Sequence, residues 1–142
     1  MNNRTFAIIK PDAVKNKYTG KIYNHILESG FKIIAAKLMK ISKTEAEGFY
    51  EIHKEKPFFQ ELTNFMSSNQ SMVLVLEKKD AVNSWREVIG ATNPSDADGG
   101  TIRKLYATSL GENAVHGSDS NENGIKEISF FFSKAELITQ KN

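Results

Sequence analysis

The octapeptide Asn113-Ala114-Val115-His116-Gly117-Ser118-Asp119-Ser120 places three structural signals side by side. The apolar residues before the histidine suit a short buried strand, and Gly117 permits a sharp turn directly after it. The polar residues that follow the glycine can cap the first turn of a helix. We therefore expect His116 to be held at a strand end in a fixed orientation with one ring face exposed, which suits a nucleophile.

Length and composition indicate one globular domain spanning residues 1–142, large enough to bury roughly two-thirds of its unfolded surface. No segment approaches the ~18 consecutive apolar residues of a membrane span, and no signal-peptide pattern precedes the first apolar run. The absence of cysteine excludes disulfides and thiolate metal sites. We expect a cytoplasmic protein with no membrane partner.

The formal net charge of +2 is too small to argue for nucleic-acid binding by bulk electrostatics, which would be secondary at most. Lys10, Arg86 and Arg103 lie far apart in the sequence, each within a segment otherwise poor in charge. They are either solvated surface residues or cations that converge on one polyanionic ligand.

Apolar periodicity and turn signals predict alternating strands and helices. Predicted strands are 5–9, 31–41, 71–76 and the run before His116; predicted helices are 18–29, one with a Thr44/Glu47 capping box, one opening at Pro57, one capped by Asp80 and ending near Gly90, a short one at 101–103, and one carrying Ile125, Ile128 and Phe132. A strand at 130–132 is the alternative for the last of these. From Lys134 onward the chain is expected to be polar and irregular.

This order fits an antiparallel four-stranded sheet with helices on one face, an α+β arrangement, although periodicity alone leaves other α+β arrangements open. The stretch 91–100 is rich in Asn, Pro, Ser, Asp and Gly and is predicted to be a long loop. Loops of this length in compact domains are usually functional or disordered.

A lone histidine is more often structural than catalytic, but the surroundings of His116 favour chemistry. Glu127, in the following helix, is close enough in sequence to accept a hydrogen bond from one ring nitrogen, which would fix the tautomer. The other nitrogen then has a free lone pair that can attack phosphorus without a general base. The sequence contains no Walker-type glycine loop, so phosphoryl transfer would need another architecture.

Several ordered blocks together resemble nucleoside diphosphate kinases, specifically the short bacterial form, over nearly the full chain. The blocks are Arg4 to Asp12, Phe49-Tyr50 followed by Lys56-Pro57-Phe58-Phe59, Gly90-Ala91-Thr92-Asn93-Pro94, Gly100-Thr101-Ile102-Arg103 and the octapeptide. The resemblance implies a ferredoxin-like βαββαβ sandwich with the long loop near the active site. It also implies ping-pong transfer of a γ-phosphoryl group between nucleoside tri- and diphosphates, with Mg²⁺ held mainly by phosphates and waters, in a tetramer or hexamer.

The family pattern also assigns roles to residues of this chain. It implies that His116 is the phosphorylated nucleophile, oriented by Glu127 and Ser118, with Tyr50 beside it. The implied nucleotide ligands are Lys10, Phe58, Arg86, Thr92, Arg103 and Asn113, with weaker places for His53, Leu62 and Leu110. By pattern alone, Phe58 would be a core residue, Tyr50 an ordinary surface residue and Asn113 a turn residue.

Two segments depart from the family pattern. Asn69-Gln70 stands where many members have Gly-Pro, and Lys104-Leu105-Tyr106 stands where an acidic residue is common. The second departure bears on a family ion pair near the long loop or on an oligomer contact. The alternative to the kinase is a catalytically silent nucleotide- or nucleic-acid-binding member of the same fold.

Overall fold

The computed structural model describes residues 3–138 and contains one sheet surrounded by helices. The strands are β1 (Arg4–Ile9), β2 (Lys32–Lys40), β3 (Gln70–Glu77) and β4 (Val115–Gly117). The helices are α1 (Pro11–Lys15), α2 (Thr19–Glu28), α3 (Lys43–Phe49), α4 (Phe59–Met66), α5 (Ala81–Ile89), α6 (Ile102–Tyr106) and α7 (Asn121–Phe131). Single 3₁₀ turns cover Glu51–His53, Pro94–Asp96 and Ala135–Leu137.

The strand order is β2-β3-β1-β4, and every neighbouring pair is antiparallel. Strands β1 and β2 lie apart in the sheet, and so do β3 and β4, whereas β2 and β3 are neighbours. This strand order is that of the βαββαβ sandwich. The predicted four-stranded antiparallel sheet and fold class are therefore confirmed. In this register His116 pairs with Ile8, so the histidine is held against β1, one of the two inner strands.

Helices cover both faces of the sheet, so the prediction that they lie on one face was wrong. Along β1, Phe6 and Ile8 point into one apolar cluster, whereas Ala7 and Ile9 point into another. The first cluster also contains α7 residues such as Ile128, and the second contains α5 residues such as Trp85. Successive side chains of a strand face opposite ways, so a continuous apolar strand needs both faces covered.

Several predicted helix starts are displaced. The capping box uses Ser42 and Glu45 rather than Thr44 and Glu47, and α4 begins at Phe59, two residues after Pro57. Asp80 occupies the N-cap position of α5, but it has a left-handed backbone and no capping hydrogen bond. Helix α1 is additional to the predicted elements.

The C-terminal half agrees more closely with expectation. Residues 130 and 131 are helical, as predicted, and α7 ends where Phe132 becomes extended. The predicted irregular tail contains the 3₁₀ turn Ala135–Leu137, and residues 139–142 lie outside the described residues. Across residues 3–138, none of the helices combines the length and apolar character that crossing a membrane would require.

Candidate active site

His116 lies in the middle of β4, and its ring is oriented by a carboxylate from α7. The Nε2 atom of His116 lies 2.9 Å from Oε1 of Glu127, and the Ser118 hydroxyl donates to the same oxygen at 2.7 Å. The histidine side chain is 19% exposed, whereas Ser118 is fully buried. A proton on Nε2 completes this network, because the carboxylate can only accept. Among residues 3–138, no hydrogen bond to Nδ1 is found, so that nitrogen keeps its lone pair.

Aromatic rings pack against the His116 ring. The rings of Phe49 and Phe6 meet the imidazole edge-on, with centroid distances of 5.6 and 6.1 Å. Tyr50 follows Phe49 and is buried, which excludes an ordinary surface residue at that position. Burial, followed by the negative charge of Glu127, raises the pKa of the Tyr50 phenol, so this hydroxyl remains protonated near neutral pH.

Gly117 allows the indole of Trp85 to pack closely against β4. A Cβ at position 117 would lie 2.7 Å from Cδ1 of Trp85, closer than real Cβ contacts. The indole Nε1 of Trp85 donates to the His116 carbonyl oxygen at 3.2 Å. Sequence reasoning assigned Gly117 to a turn, whereas the structure shows that its missing side chain makes room for Trp85.

Ala114 has a left-handed backbone, with φ of 71°. The amide of Val115 donates to the Asn113 carbonyl at 2.8 Å, which closes a three-residue γ-turn of the strained kind. Such a conformation costs about 1–3 kcal/mol and persists only where the surroundings impose it. Here the Asp12 carboxylate accepts from the Ala114 amide at 3.0 Å, and the Lys10 amide donates to the Ala114 carbonyl at 2.8 Å.

Lys10 and Asn113 form a buried polar pair next to this turn. The Lys10 ammonium donates to Oδ1 of Asn113 at 2.8 Å, and the Asn113 amide donates to the Thr92 carbonyl at 3.2 Å. The Asn113 side chain thus connects Lys10, directly after β1, with Thr92 of the long loop. It therefore does more than form a turn. Burial and then the positive charge of Arg103 lower the pKa of Lys10 to about 8, against the opposing effect of Asp12.

Arg103 is buried and ties α6 to the histidine segment. Its guanidinium donates to the carbonyl oxygens of Asn113 at 3.3 Å, Gly90 at 3.1 Å and Val115 at 3.0 Å. Burial and the nearby charge of Arg86 lower its pKa to about 10. A guanidinium carries five N–H donors, so Arg103 retains donors beyond these three carbonyls.

A cleft of about 510 Å³ lies between α5, the long loop and α6. Arg86, Thr92 and Arg103 line it, together with Gly117 of β4. Arg86 and Arg103 thus share the cleft, and Lys10 and Arg103 both contact Asn113, so the three cations lie near one another. Binding of a polyanion there stays a prediction.

Gly90 joins α5 to the long loop. Its φ is 86°, and a Cβ there would lie 2.6 Å from Oγ1 of Thr101. Both constraints require glycine at this position, which places the carbonyl that Arg103 binds.

The residues predicted to contact a base are exposed or only partly buried. Phe58 is 45% exposed and lies 5.7 Å from the His53 ring, whereas the neighbouring Phe59 is buried. Phe58 is therefore no core residue. Leu62 packs partly against the apolar core, and Leu110 is exposed in the loop between α6 and β4.

The unusual Lys104-Leu105-Tyr106 segment lies on α6. Lys104 and Leu105 are exposed, while the Tyr106 ring packs against Tyr18 at 5.0 Å. Neither Lys104 nor Leu105 lines the cleft, so this departure from the family pattern does not replace a residue of the cleft wall.

Sequence reasoning missed two residues that shape the site. Asp12 appeared only as the end of the first block, and Trp85 lies in the predicted helix between Asp80 and Gly90, to which no site role was given. The partner of Asp12 is the backbone of Ala114, about a hundred residues later. No local pattern signals such a contact.

The chain was compared with known proteins. The family model for nucleoside diphosphate kinase matches residues 3–137. A nucleoside diphosphate kinase of Geotalea uraniireducens is 56% identical over 135 residues, covering 95% of this chain and 98% of that protein.

Solved structures agree with the sequence match. The nucleoside diphosphate kinase of Aquifex aeolicus superposes with a TM-score of 0.93 at 42% identity, covering 96% of this chain and 99% of that one. A halophilic nucleoside diphosphate kinase of Halobacterium salinarum, solved in complex with CDP, gives 0.93 at 36% identity, covering 100% of this chain and 95% of that one. By sequence and by structure, the chain belongs to the nucleoside diphosphate kinase family.

Proposed function

We propose that this chain performs its kinase reaction through a phosphohistidine at Nδ1 of His116. The observation that carries the proposal is the 2.9 Å contact of Nε2 with Glu127, which leaves the Nδ1 lone pair free. That lone pair attacks the γ-phosphorus of a nucleoside triphosphate. An N–P bond forms, the bond from phosphorus to the bridging oxygen breaks, and its electron pair leaves with the nucleoside diphosphate.

Glu127 supports this step electrostatically. The Nε2 proton stays in place during the attack, so the ring gains positive character as the N–P bond forms. The adjacent carboxylate stabilises that charge, and the Ser118 hydroxyl holds the carboxylate oxygen in position. A second nucleoside diphosphate then takes the phosphoryl group by the reverse of the same steps, which makes the reaction ping-pong.

The cations around the cleft neutralise the phosphates. Phosphoryl transfer depends mainly on positioning and charge stabilisation. Arg86 and Thr92 are exposed on the cleft wall, Arg103 lines the same cleft but is buried, and Lys10 is buried nearby on Asn113. Arginine offers forked donors to phosphate oxygens, whereas lysine acts as a compact charge.

Other residues of the candidate site are assigned to the base and the sugar of the nucleotide. We assign base stacking to the exposed ring of Phe58, with His53 and the two leucines Leu62 and Leu110 as weaker contacts. Lys10 and Asn113 are assigned to the sugar hydroxyls. A stacking ring contacts the π-face of a base rather than its edges, so all bases are tolerated. The Halobacterium salinarum relative was solved with CDP, which supports a nucleoside diphosphate as the ligand here.

The substrate is proposed to be the Mg²⁺ complex of the nucleotide. Among residues 3–138, no group of three or more acidic or histidine side chains is arranged to hold a metal ion. Mg²⁺ is commonly bound through substrate phosphates and waters, and we assign the cation to such ligands. Arg86, Thr92 and Arg103 would then hold the phosphates that carry it.

We further propose a homo-oligomer, a tetramer or a hexamer. The outer edge of β2 has no neighbouring strand among the described residues, and Leu38 on it is half exposed. Light scattering distinguishes these states by mass. The cytoplasmic location stays a prediction, which cell fractionation would test, and nucleic-acid binding is assigned no more than a secondary role.

The test is direct labelling with γ-labelled nucleoside triphosphate and Mg²⁺. We expect an acid-labile, base-stable phosphoprotein that loses its label when an unlike nucleoside diphosphate is added. His116→Ala should abolish the label, whereas His25→Ala, in α2, should retain it. Label that persists in His116→Ala contradicts the assignment, and an unlabelled but nucleotide-binding wild type indicates the catalytically silent alternative.

A further inference from the structure

Asp12 is a buried carboxylate that the proposed reaction does not use. It is only 6% exposed, and burial raises the pKa of its carboxyl. One oxygen, Oδ2, accepts from the Ala114 amide, while Oδ1 has no well-aligned partner among residues 3–138. The backbone N–H groups of Asp12 and Ala13, in the first turn of α1, also oppose the effect of burial. The contact with Ala114, far away in the sequence, offers an explanation for the presence of this carboxylate.

The first part of that explanation is geometric. The Asp12 side chain and the Lys10 backbone bind the two peptide groups of Ala114, which hold this residue in its left-handed turn. The turn lies directly between Asn113 and the strand that carries His116. Releasing the Ala114 amide would let the turn relax toward an ordinary backbone and move both functional side chains.

The second part is electrostatic. The Lys10 ammonium and the Arg103 guanidinium both contact Asn113, and the Asp12 carboxylate contacts the adjacent Ala114. Burial and the charge of Arg103 lower the pKa of Lys10, whereas the charge of Asp12 raises it. Asp12 opposes the effects of burial and of Arg103, which favour the neutral amine. The Lys10 ammonium donates to Oδ1 of Asn113 at 2.8 Å. It can attract a phosphate by its charge only while it is protonated.

We propose that Asp12 is a positioning residue for phosphoryl transfer, which aims Asn113 and His116 through the Ala114 turn and keeps Lys10 charged. This inference rests on the proposed roles of Lys10 and His116. Asp12 touches neither the nucleotide nor the reacting atoms, so its effect must pass through these neighbours.

Two substitutions separate the two parts. Asp12→Asn keeps an oxygen that can accept from the Ala114 amide but removes the charge. Asp12→Ala removes both. Glu112→Gln is the matched control, because it removes an exposed carboxylate next to Asn113 without touching the turn.

The measurement is the pH profile of nucleotide binding and of His116 phosphorylation in a single turnover. In Asp12→Asn, we expect the alkaline loss of nucleotide affinity to move down by about half a pH unit, with the phosphorylation rate near pH 6.5 within about threefold of wild type. In Asp12→Ala, the rate should fall about tenfold or more at every pH, because a small misplacement of reacting groups is costly. The Glu112→Gln profile should overlay that of wild type.

The inference is overturned if the alkaline limb of Asp12→Asn coincides with that of Glu112→Gln, or if Asp12→Ala phosphorylates His116 at the wild-type rate. If Asp12→Ala does not fold, Asp12→Asn still decides the electrostatic part, and NMR titration of the Lys10 side chain in it reports the same shift directly. Asp12→Glu, which keeps the charge but displaces the carboxylate from the Ala114 amide, then decides the positioning part, and a wild-type phosphorylation rate in it overturns that part. Failure of the proposed function looks different, because the wild type itself would then acquire no phosphohistidine.

Discussion

Substitution of Gly117 by alanine tests how the site depends on the close approach of Trp85. Gly117 has no positive φ, so alanine is not strained by its backbone and the effect is purely steric. The new methyl group would lie 2.7 Å from Cδ1 and 3.0 Å from Nε1 of Trp85, and 3.2 Å from Cδ1 of Ile89. Trp85 is fully buried and packs edge-on against Phe31 at 5.8 Å, so the indole has little room to withdraw.

The cost follows from these contacts. Overpacking a rigid core site by one methyl group costs about 1–3 kcal/mol. Displacing the indole also weakens its hydrogen bond to the His116 carbonyl, a further ~1 kcal/mol. We expect the free energy of unfolding to fall by about 2–4 kcal/mol, equivalent to a decrease in Tm of roughly 6–15 °C for a chain of this size.

The assay is urea unfolding, together with the rate of His116 phosphorylation. Gly20→Ala is the matched control, because Gly20 lies in α2 with nothing within 4 Å of a new Cβ. That substitution should stabilise the protein by about 0.5–1 kcal/mol. If Gly117→Ala unfolds at the same urea concentration as wild type, the steric argument for glycine in β4 is refuted.

Two further predictions concern the aromatic pair at α4 and the buried lysine. Phe58→Ala should raise the KM for nucleotides about tenfold with little change in Tm, because stacking contributes ~1–3 kcal/mol per base, whereas Phe59→Ala should lower stability by about 3–5 kcal/mol. Steady-state kinetics beside thermal unfolding separate the two, and equal Tm losses would contradict the assignment. The pKa of Lys10 is lowered in the folded state, to about 8 from 10.5. The unfolded chain therefore binds the extra proton, and the stability contribution of Lys10 rises as pH increases from about 8 to 10.5. Lys10→Met should thus raise stability near pH 7 by about 1–3 kcal/mol while impairing phosphotransfer, and urea unfolding that shows a loss would refute this sign.

The strands were predictable from sequence because their side chains leave few alternatives. The run 5–9 is almost wholly apolar, and so is the run 72–76, which fits strands that are buried on both faces. The same runs already contained the signal that helices must cover both faces of the sheet. Helix starts were harder, since Ser42/Glu45 and Thr44/Glu47 both match the capping-box pattern. The structure uses the first of the two.

The site was predictable in its residue types but not in its supports. The family pattern identifies His116 and its carboxylate partner, and the structure places Glu127 at hydrogen-bond distance. The pattern gives no sign that Arg103 donates to three backbone carbonyls. A basic residue in a short helix has the same sequence signature whether its side chain lies in solvent or binds backbone atoms. Asp12 and Trp85 were missed for the same reason: each acts on backbone atoms far away in sequence.

The buried cations connect the stability of this fold with its chemistry. Lys10 and Arg103 are both buried, and each has a pKa lowered by desolvation and by a neighbouring positive charge. Without a bound anion, this like-charge group opposes folding, and the Asp12 carboxylate offsets only part of the repulsion. A polyphosphate in the adjacent cleft would relieve it, since opposite charges at short range favour the charged form of each group. The proposed phosphate binding would therefore draw part of its affinity from relief of this repulsion. The residues that oppose folding are then those whose charge the substrate would neutralise.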